Sequence, residues 1–496
     1  MSHAGSFASM ILAPLAAATL AFIFPRLGRW LAFGTAGAVS IAFARLTRLL
    51  LDGGVQVHRV GGWGAPLGID LRADGLAVFM LLITTAIGAA VMLYALRYFN
   101  ARRSPAEGHQ ERYFWPLFLL LWSALNALLL STDIFNLYVT LELLGFSAVL
   151  LIALDGRRAA LTAALRYLFV SLSASLLYLL GVAIVYTRCA TVDLTLLATR
   201  AQPGFPLTIA IALMTGGLLV KSALIPGHFW LPPAHANAPA PVSALLSALV
   251  VKGSFYIMLR LWFEAFPGLI TPAAGNLLGG LGAAAVIWGA LNALFQKRLK
   301  LLVAYSTVAQ LGYLFLLFPL AAGHEGRFTA WSGGLVFLAS HACAKAAMFL
   351  SAGNVVRARG GRDEIAHLEG MSSLQPISTF AFGLAGLSLI GLPPSGGFAG
   401  KWLLLRAGLA AGQGWWVAVI LIGSLLAAAY VARVLVHGFT RAPVPGPARP
   451  NSPLMEWTAL ALAILAAGMG FLSVWLTDLL QVGAPAILIP PAGGAP

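Results

Sequence analysis

Apolar runs of about twenty residues recur along almost the whole chain, at about 5–25, 30–50, 74–96, 113–131, 134–154, 160–186, 206–231, 240–263, 272–295, 300–321, 329–355, 376–411, 414–440 and 454–482. A run of that length lets a helix cross the hydrocarbon core of a bilayer, where each backbone polar group must be bonded within its own segment. The pattern predicts an all-α polytopic membrane protein with about 14 transmembrane helices. Composition agrees: of 496 residues, 60% are hydrophobic and 9% charged, against about 25% charged in a soluble domain. That balance excludes a soluble enzyme. The first run, within MSHAGSFASMILAPLAAATLAFIFPRLGRW, lacks a preceding basic segment and a small-residue cleavage site, so it reads as the first span and not a signal peptide.

The net charge of +15 would suggest nucleic-acid binding in a soluble protein. In a membrane protein it reflects topology, because loops on the cytoplasmic side carry excess Lys and Arg, and no nucleic-acid partner is expected. One set of alternate loops holds Arg26, Arg29, Arg97, Arg102, Arg103, Arg112, Arg157, Arg158, Lys297, Arg298, Lys300, Arg357, Arg359, Arg362, Arg441 and Arg449. The other holds Arg45, Arg48, Arg59, Arg72, Arg188, Arg200, Arg327 and Arg406. The richer set is expected in the cytoplasm and both termini outside, with the chain integral to a bacterial cytoplasmic (inner) membrane. The loops are short, and the Pro/Gly-rich segments 442–450 and 484–496 read as a linker and a frayed tail.

Two spans should be broken. In GGLLVKSALIPGHFWLPPAH, Pro226 has no N–H and its ring opposes the carbonyl of Ser222, so the helix should bend or open beside Lys221. In SLIGLPPSGGFAGKW, Pro393 and Pro394 stand between Gly391 and the Gly396–Gly397 pair, with Lys401 just beyond. Unwound backbone at membrane depth is tolerated where it lines protein or water, and paired breaks point to an ion path.

The charges inside the spans fit such a path. Of six lysines, Lys221, Lys252, Lys345 and Lys401 fall inside apolar segments. An ionisable group there costs at least about 2.5 kcal/mol on insertion scales and marks function by default. Lysine can exchange protons when desolvated, whereas arginine cannot. Arg166, Arg260 and Arg433 are expected to snorkel to the interface. Among sixteen carboxylates, Glu142 alone sits well inside an apolar helix, and one of the buried lysines is its natural partner. His341 and Lys345, four residues apart, share a helix face. His228 and His235 flank the WLPP break and are candidates for proton uptake. Ser222, Ser243, Ser247, Tyr305, Ser306, Thr307 and Gln310 could support a hydrated path, although Ser and Thr in membrane helices more often bond the backbone.

The stretches 221–261, KRLKLLVAYSTVAQLGY (297–313), SHACAKAAMFL (340–350) and GLPPSGGFAGKW (391–402), in this order, resemble the antiporter-like proton-translocating family. Its members are the large membrane subunits of complex I, related membrane-bound hydrogenases and Mrp-type antiporters. The resemblance implies helices 1–3 over 1–112, two inverted five-helix repeats over 113–265 (helices 4–8) and 266–441 (helices 9–13), and a last helix with the tail over 442–496. Helices 7 and 12 would be the broken ones. It assigns Glu142 and Lys221 to a pair, Lys252 to the centre, His341 and Lys345 to the lateral step and Lys401 to the exit. It further implies work inside a multisubunit assembly with other membrane subunits. Length and Lys401 fit a protein like the D subunit of Mrp-type Na+/H+ antiporters first, with no long lateral helix after the last span. A proton-pumping subunit of a complex I-type NADH:quinone oxidoreductase or a membrane-bound hydrogenase is the alternative.

Two other classes fit less well. A redox enzyme binding quinone or haem would need facing axial ligands, and of nine histidines only His341 reads as deep. Cys189 and Cys343 form no metal-binding pattern, so no cofactor or metal is expected in this chain. A scaffold without transport has no use for the buried ionisable groups.

Overall fold

The computed structural model describes residues 3–99, 105–322, 326–440 and 451–489. Arg102, Arg103, Arg441 and Arg449, which entered the orientation argument, lie outside the described residues, as do the expected linker 442–450 and the tail from 490 onward. Among the described residues twelve helices are long and apolar enough to cross a membrane, and two shorter apolar helices, Phe205–Lys221 and Pro376–Ile390, stand where broken spans are expected. The second span forms despite its arginines: Gly28–Gly53 is helical, with Arg45 and Arg48 exposed.

Helix starts follow capping chemistry. Asp74 accepts from Ala77 N at 2.9 Å, Asp133 from Asn136 N at 2.7 Å and Asp193 from Thr195 and Leu196 N at 2.9 Å, each meeting amides that the first turn leaves unpaired. Helices Ala240–Ala265 and Arg327–Ala358 are enclosed along the whole of their most apolar stretch, whereas Arg158–Cys189, Gly414–Phe439 and Gly28–Gly53 leave much of theirs exposed. The enclosed helices form the axis of the bundle and the others its rim. Without water, association of helices relies on close packing of small residues. A Cβ at Gly312 would stand 2.4 Å from Gly282 O, so helices Pro272–Phe295 and Leu299–Phe315 touch backbone to backbone.

The loops sort into two faces. On one, Arg298 Nε lies 2.8 Å from Asp363 Oδ2 and Leu299 N donates to Asp363 O. On the other, the antiparallel strands β1 (Gln56–Arg59) and β2 (Asp70–Ala73) pair with Gln56 opposite Ala73 and Arg59 opposite Asp70. Thr132 donates to Asp70 O there, and residues 133 and 193 form a bridge.

Two expectations need correction here. The segment expected to fray at 484–496 is anchored up to 489: Leu488 is buried and Arg327 donates to Ile487 O at 3.1 Å. An apolar side chain with a pocket to fill outweighs the chain-end entropy. Arg260 does not snorkel. It is 3% exposed and donates to both oxygens of Asp74, at 2.6 and 2.7 Å, and to Glu264 at 3.0 Å. A bidentate carboxylate removes the need to reach water. Burial pushes the Asp74 carboxyl up, but Arg260 and Arg72 outweigh it and hold the group at about 2. Arg166 is exposed, as snorkelling requires, and Arg433 bonds the carbonyls of Leu294 and Gln296 at the end of a neighbouring helix.

Candidate functional site

Helix Phe205–Lys221 stops at the lysine. The chain then leaves helical geometry, Ala223 taking a positive φ of 52° before Pro226, and resumes as a short turn Gly227–Trp230 and a helix Leu231–Asn237. Trp230 Nε1 donates to the carbonyl of Val220 at 2.9 Å, which also accepts from Ala223 N. At the mouth of this break Lys221 Nζ lies 2.6 Å from Glu142 Oε1, and Ser175 donates to the same oxygen. Pro226 therefore opens the helix where the sequence places the opening, and Glu142 meets the lysine nearest to it. At the start of the break the Ser222 hydroxyl lies 2.8 Å from that of Ser254.

Lys252 sits in the enclosed helix just after a widened π-turn, Leu246–Val250. Its Nζ donates to the carbonyl of Ser247. Such turns misalign the usual carbonyl–amide ladder, which leaves carbonyls available to side chains. The Ser247 hydroxyl meets Thr307 at 3.0 Å, and the adjacent Ser306 accepts from Lys345, which also donates to Val303 O at 3.1 Å. Hydroxyls on helix Leu299–Phe315 thus stand between the two lysines.

His341, one turn before Lys345, is 1% exposed, and neither ring nitrogen has a hydrogen-bond partner. The charges of Lys252, Lys345 and Lys401 all reach it. Its ring lies parallel to Phe337, and Lys401 Nζ is 5.7 Å from the same phenyl and 4.4 Å from the Tyr313 ring. Helix Pro376–Ile390 ends at Gly391, φ 93°, and the chain restarts at Ser395, which caps helix Gly396–Ala410. A Cβ at Gly397 would stand 1.8 Å from Ser388 O, so only glycine lets the two halves approach this closely. Pro393 and Pro394 lie in the break, with Gly470 N bonded to Pro394 O. Lys401 donates to Leu389 O, Ile390 O and Ser424 Oγ at 2.8, 3.1 and 3.0 Å.

The two histidines of the first break differ. His228 is half-buried near the turn. His235 is fully buried, within reach of the charges of Lys252, Lys345 and Lys300, which corrects the expectation that His341 alone is deep. The reason is the short helix Leu231–Asn237, which folds back into the bundle. The Ser243 hydroxyl donates to His235 O at 2.7 Å, and Gln310 donates to Tyr430 at 3.1 Å, while Tyr305 is half-buried.

Lys300 escaped the sequence reading. Placed with the arginine-rich loops, it is 8% exposed and donates to Ala238 O between helices Leu231–Asn237 and Ala240–Ala265. Its position at the very start of an apolar run, next to Leu299, was the available signal.

Residues 131–427 match the family described as NADH:quinone oxidoreductase/Mrp antiporter, a stretch that holds Glu142, Lys221, Lys252, His341, Lys345 and Lys401. The chain belongs to this family. Relatives within it include the N subunit of the NADH-quinone oxidoreductase of Desulforudis audaxviator, 35% identical over 92% of this chain and 91% of that one. Another is the D subunit of the Na(+)/H(+) antiporter of Bacillus subtilis, 29% identical over 97% and 96%. A chain of the Mrp complex from Dietzia sp. DQ12-45-1b shares the fold, with a TM-score of 0.88, 24% identity and coverage of 98% and 99%.

Proposed function

We propose that this chain is a proton-translocating antiporter-like subunit, of the type found as the D subunit in Mrp Na+/H+ antiporters. The observation that carries the reading is the Glu142–Lys221 pair at a helix break, followed inward by Lys252 on the Ser247 carbonyl, the Ser247–Thr307 hydroxyl contact, and Lys345 on Ser306 and Val303. A proton taken up near Lys300, His228 and His235 passes to Lys252, then by way of Lys345 and His341 to Lys401, and leaves beside the second break. Because the sites lie within one another's fields, the energy of a proton on one depends on the charge of the next. When Glu142 holds Lys221 the pair is nearly neutral; when it lets go, the freed ammonium acts on Lys252. That is how the pair would gate the row.

The two breaks, each with a lysine beside it, support inverted repeats over 113–265 and 266–441. The richer arginine set supports an inner-membrane placement with both termini outside. Other membrane subunits complete the assembly, as in the Mrp complex. A second reading, a proton-pumping subunit of a complex I-type oxidoreductase, is favoured by the 35% identity to an N subunit of that enzyme class.

Affinity purification of the tagged chain from its own membranes, with mass spectrometry, separates these readings. Small antiporter subunits without redox proteins support the first; flavin or iron–sulfur subunits support the second. Lys221→Ala should lower proton transport by roughly a hundredfold or more, the range for loss of a positioned proton carrier. A wild-type rate in assembled Lys221→Ala complexes would overturn both.

A further inference from the structure

Far from the lysine row, the turn Pro25–Leu27 and the start of helix Gly28–Gly53 meet the beginning of helix Pro105–Leu130. Between them opens a pocket of about 660 Å³ lined by Pro25, Arg26, Arg29, Glu111, Arg112 and Trp115. Three guanidiniums face one carboxylate there among the described residues, a net charge of +2. Among the described residues no carboxylate pairs with any of the three arginines. Arg29 lies 5.3 Å from the Trp30 ring and Arg112 5.6 Å from the Tyr113 ring. Trp115 is buried, yet its indole N–H has no hydrogen-bond partner. Beside the pocket Phe22, Ile23, Phe24, Leu27 and Trp30 are all exposed.

We propose that this pocket is a binding site for the phosphodiester headgroup of an anionic phospholipid, whose acyl chains lie on the exposed apolar side chains around Ile23 and Leu27. Guanidinium forks match phosphate oxygens, and basic pockets between membrane helices take anionic headgroups. Tyr and Trp at helix ends mark the headgroup level. Free phosphate would use the arginines but leave the apolar skirt uncovered. A zwitterionic lipid would bring an ammonium group that, among the described lining residues, Glu111 alone could meet. The site does not depend on the proton path.

The test is native mass spectrometry of the full-length protein in mild detergent, titrated with phosphatidylglycerol, phosphatidylcholine and inorganic phosphate. Phosphatidylglycerol should bind selectively. The variant Arg26→Gln/Arg29→Gln/Arg112→Gln should weaken it about a hundredfold, at about fivefold per cation. Substituting lysine at the three positions should retain most of the binding, and Arg188→Gln/Arg200→Gln, on exposed arginines elsewhere, should change nothing. Equal binding of both lipids, an unaffected triple glutamine variant, or displacement of the lipid by millimolar phosphate alone would overturn the proposal. So would a photo-crosslinker at position 23 that, in native membranes, captures only an acidic partner protein and no lipid.

Discussion

Lys401 reaches back across the chain break to the carbonyl of Leu389, 2.8 Å away, and so caps the helix that the two prolines end. The residue read as the exit therefore also satisfies backbone left open by the unwinding. The two roles separate by substitution. Lys401→Ala should lose both transport and thermal stability. Lys401→Gln keeps a donor for the carbonyls, so stability should be largely retained while transport falls roughly a hundredfold. Proton pumping in proteoliposomes together with melting of the same preparations checks this; wild-type pumping by Lys401→Gln would remove Lys401 from the path.

The Ser247–Thr307 contact, which stands between Lys252 and Lys345, should act by degree. Thr307→Val keeps the volume and deletes the 3.0 Å contact to Ser247. A side-chain hydrogen bond in a membrane bundle averages about 0.6 kcal/mol, so transport should slow about threefold without loss of assembly. Initial rates of dye quenching at matched protein content measure it, and a total loss would mean that the hydroxyl is itself indispensable.

Lys300 offers a test by charge type. Lys300→Arg keeps a cation able to bond Ala238 O, but a guanidinium does not release protons. Transport by Lys300→Arg should fall as far as that of Lys300→Met, roughly a hundredfold. Arg298→Met, at a half-exposed pair with Asp363, should leave the rate nearly unchanged. Full activity of Lys300→Arg would make the residue a fixed charge only.

Asp74 is a structural anchor with a defined acid limit. Asp74→Asn leaves Arg260 buried with Glu264 alone and should cost about 3 kcal/mol, part of which Asp74→Leu with Arg260→Met restores. The folded carboxyl, at about 2, binds its proton more weakly than an ordinary one at 3.8. Its contribution is therefore complete above about pH 4 and disappears as pH falls through about 2. Melting curves between pH 5 and 2 should show this loss in the wild type and not in Asp74→Asn.

What the sequence made legible was local. Apolar runs marked the spans, Pro226 and the Pro393–Pro394 pair marked the breaks, and isolated Glu142, Lys221 and Lys345 stood out because each is the odd charge in its run, as did Lys252 beside Arg260. What stayed hidden depended on contacts between distant segments. Asp74 and Arg260, 186 positions apart, look like a loop acid and a snorkelling arginine until the bundle brings them together. Lys300 sat too near Lys297 and Arg298 to be told from a loop charge, and the π-turn before Lys252 leaves no mark in composition. His235 was read from its neighbours in the chain, while its depth is set by a helix that folds back over it.

The row of cations is lopsided. Lys252, Lys345 and Lys401 lean on carbonyls and hydroxyls, which are neutral dipoles, while the carboxylate that touches the series, Glu142, sits at the Lys221 end. Among the described residues no carboxylate pairs with Lys252, Lys345 or Lys401, so a positive charge on one makes a second on its neighbour harder to add. In the proposed path a proton arriving at one seat would therefore push the charge of its neighbour onward to the next vacant one. On the proposed path the placement of one acid would thus make the two ends of the series unlike, before any helix has moved.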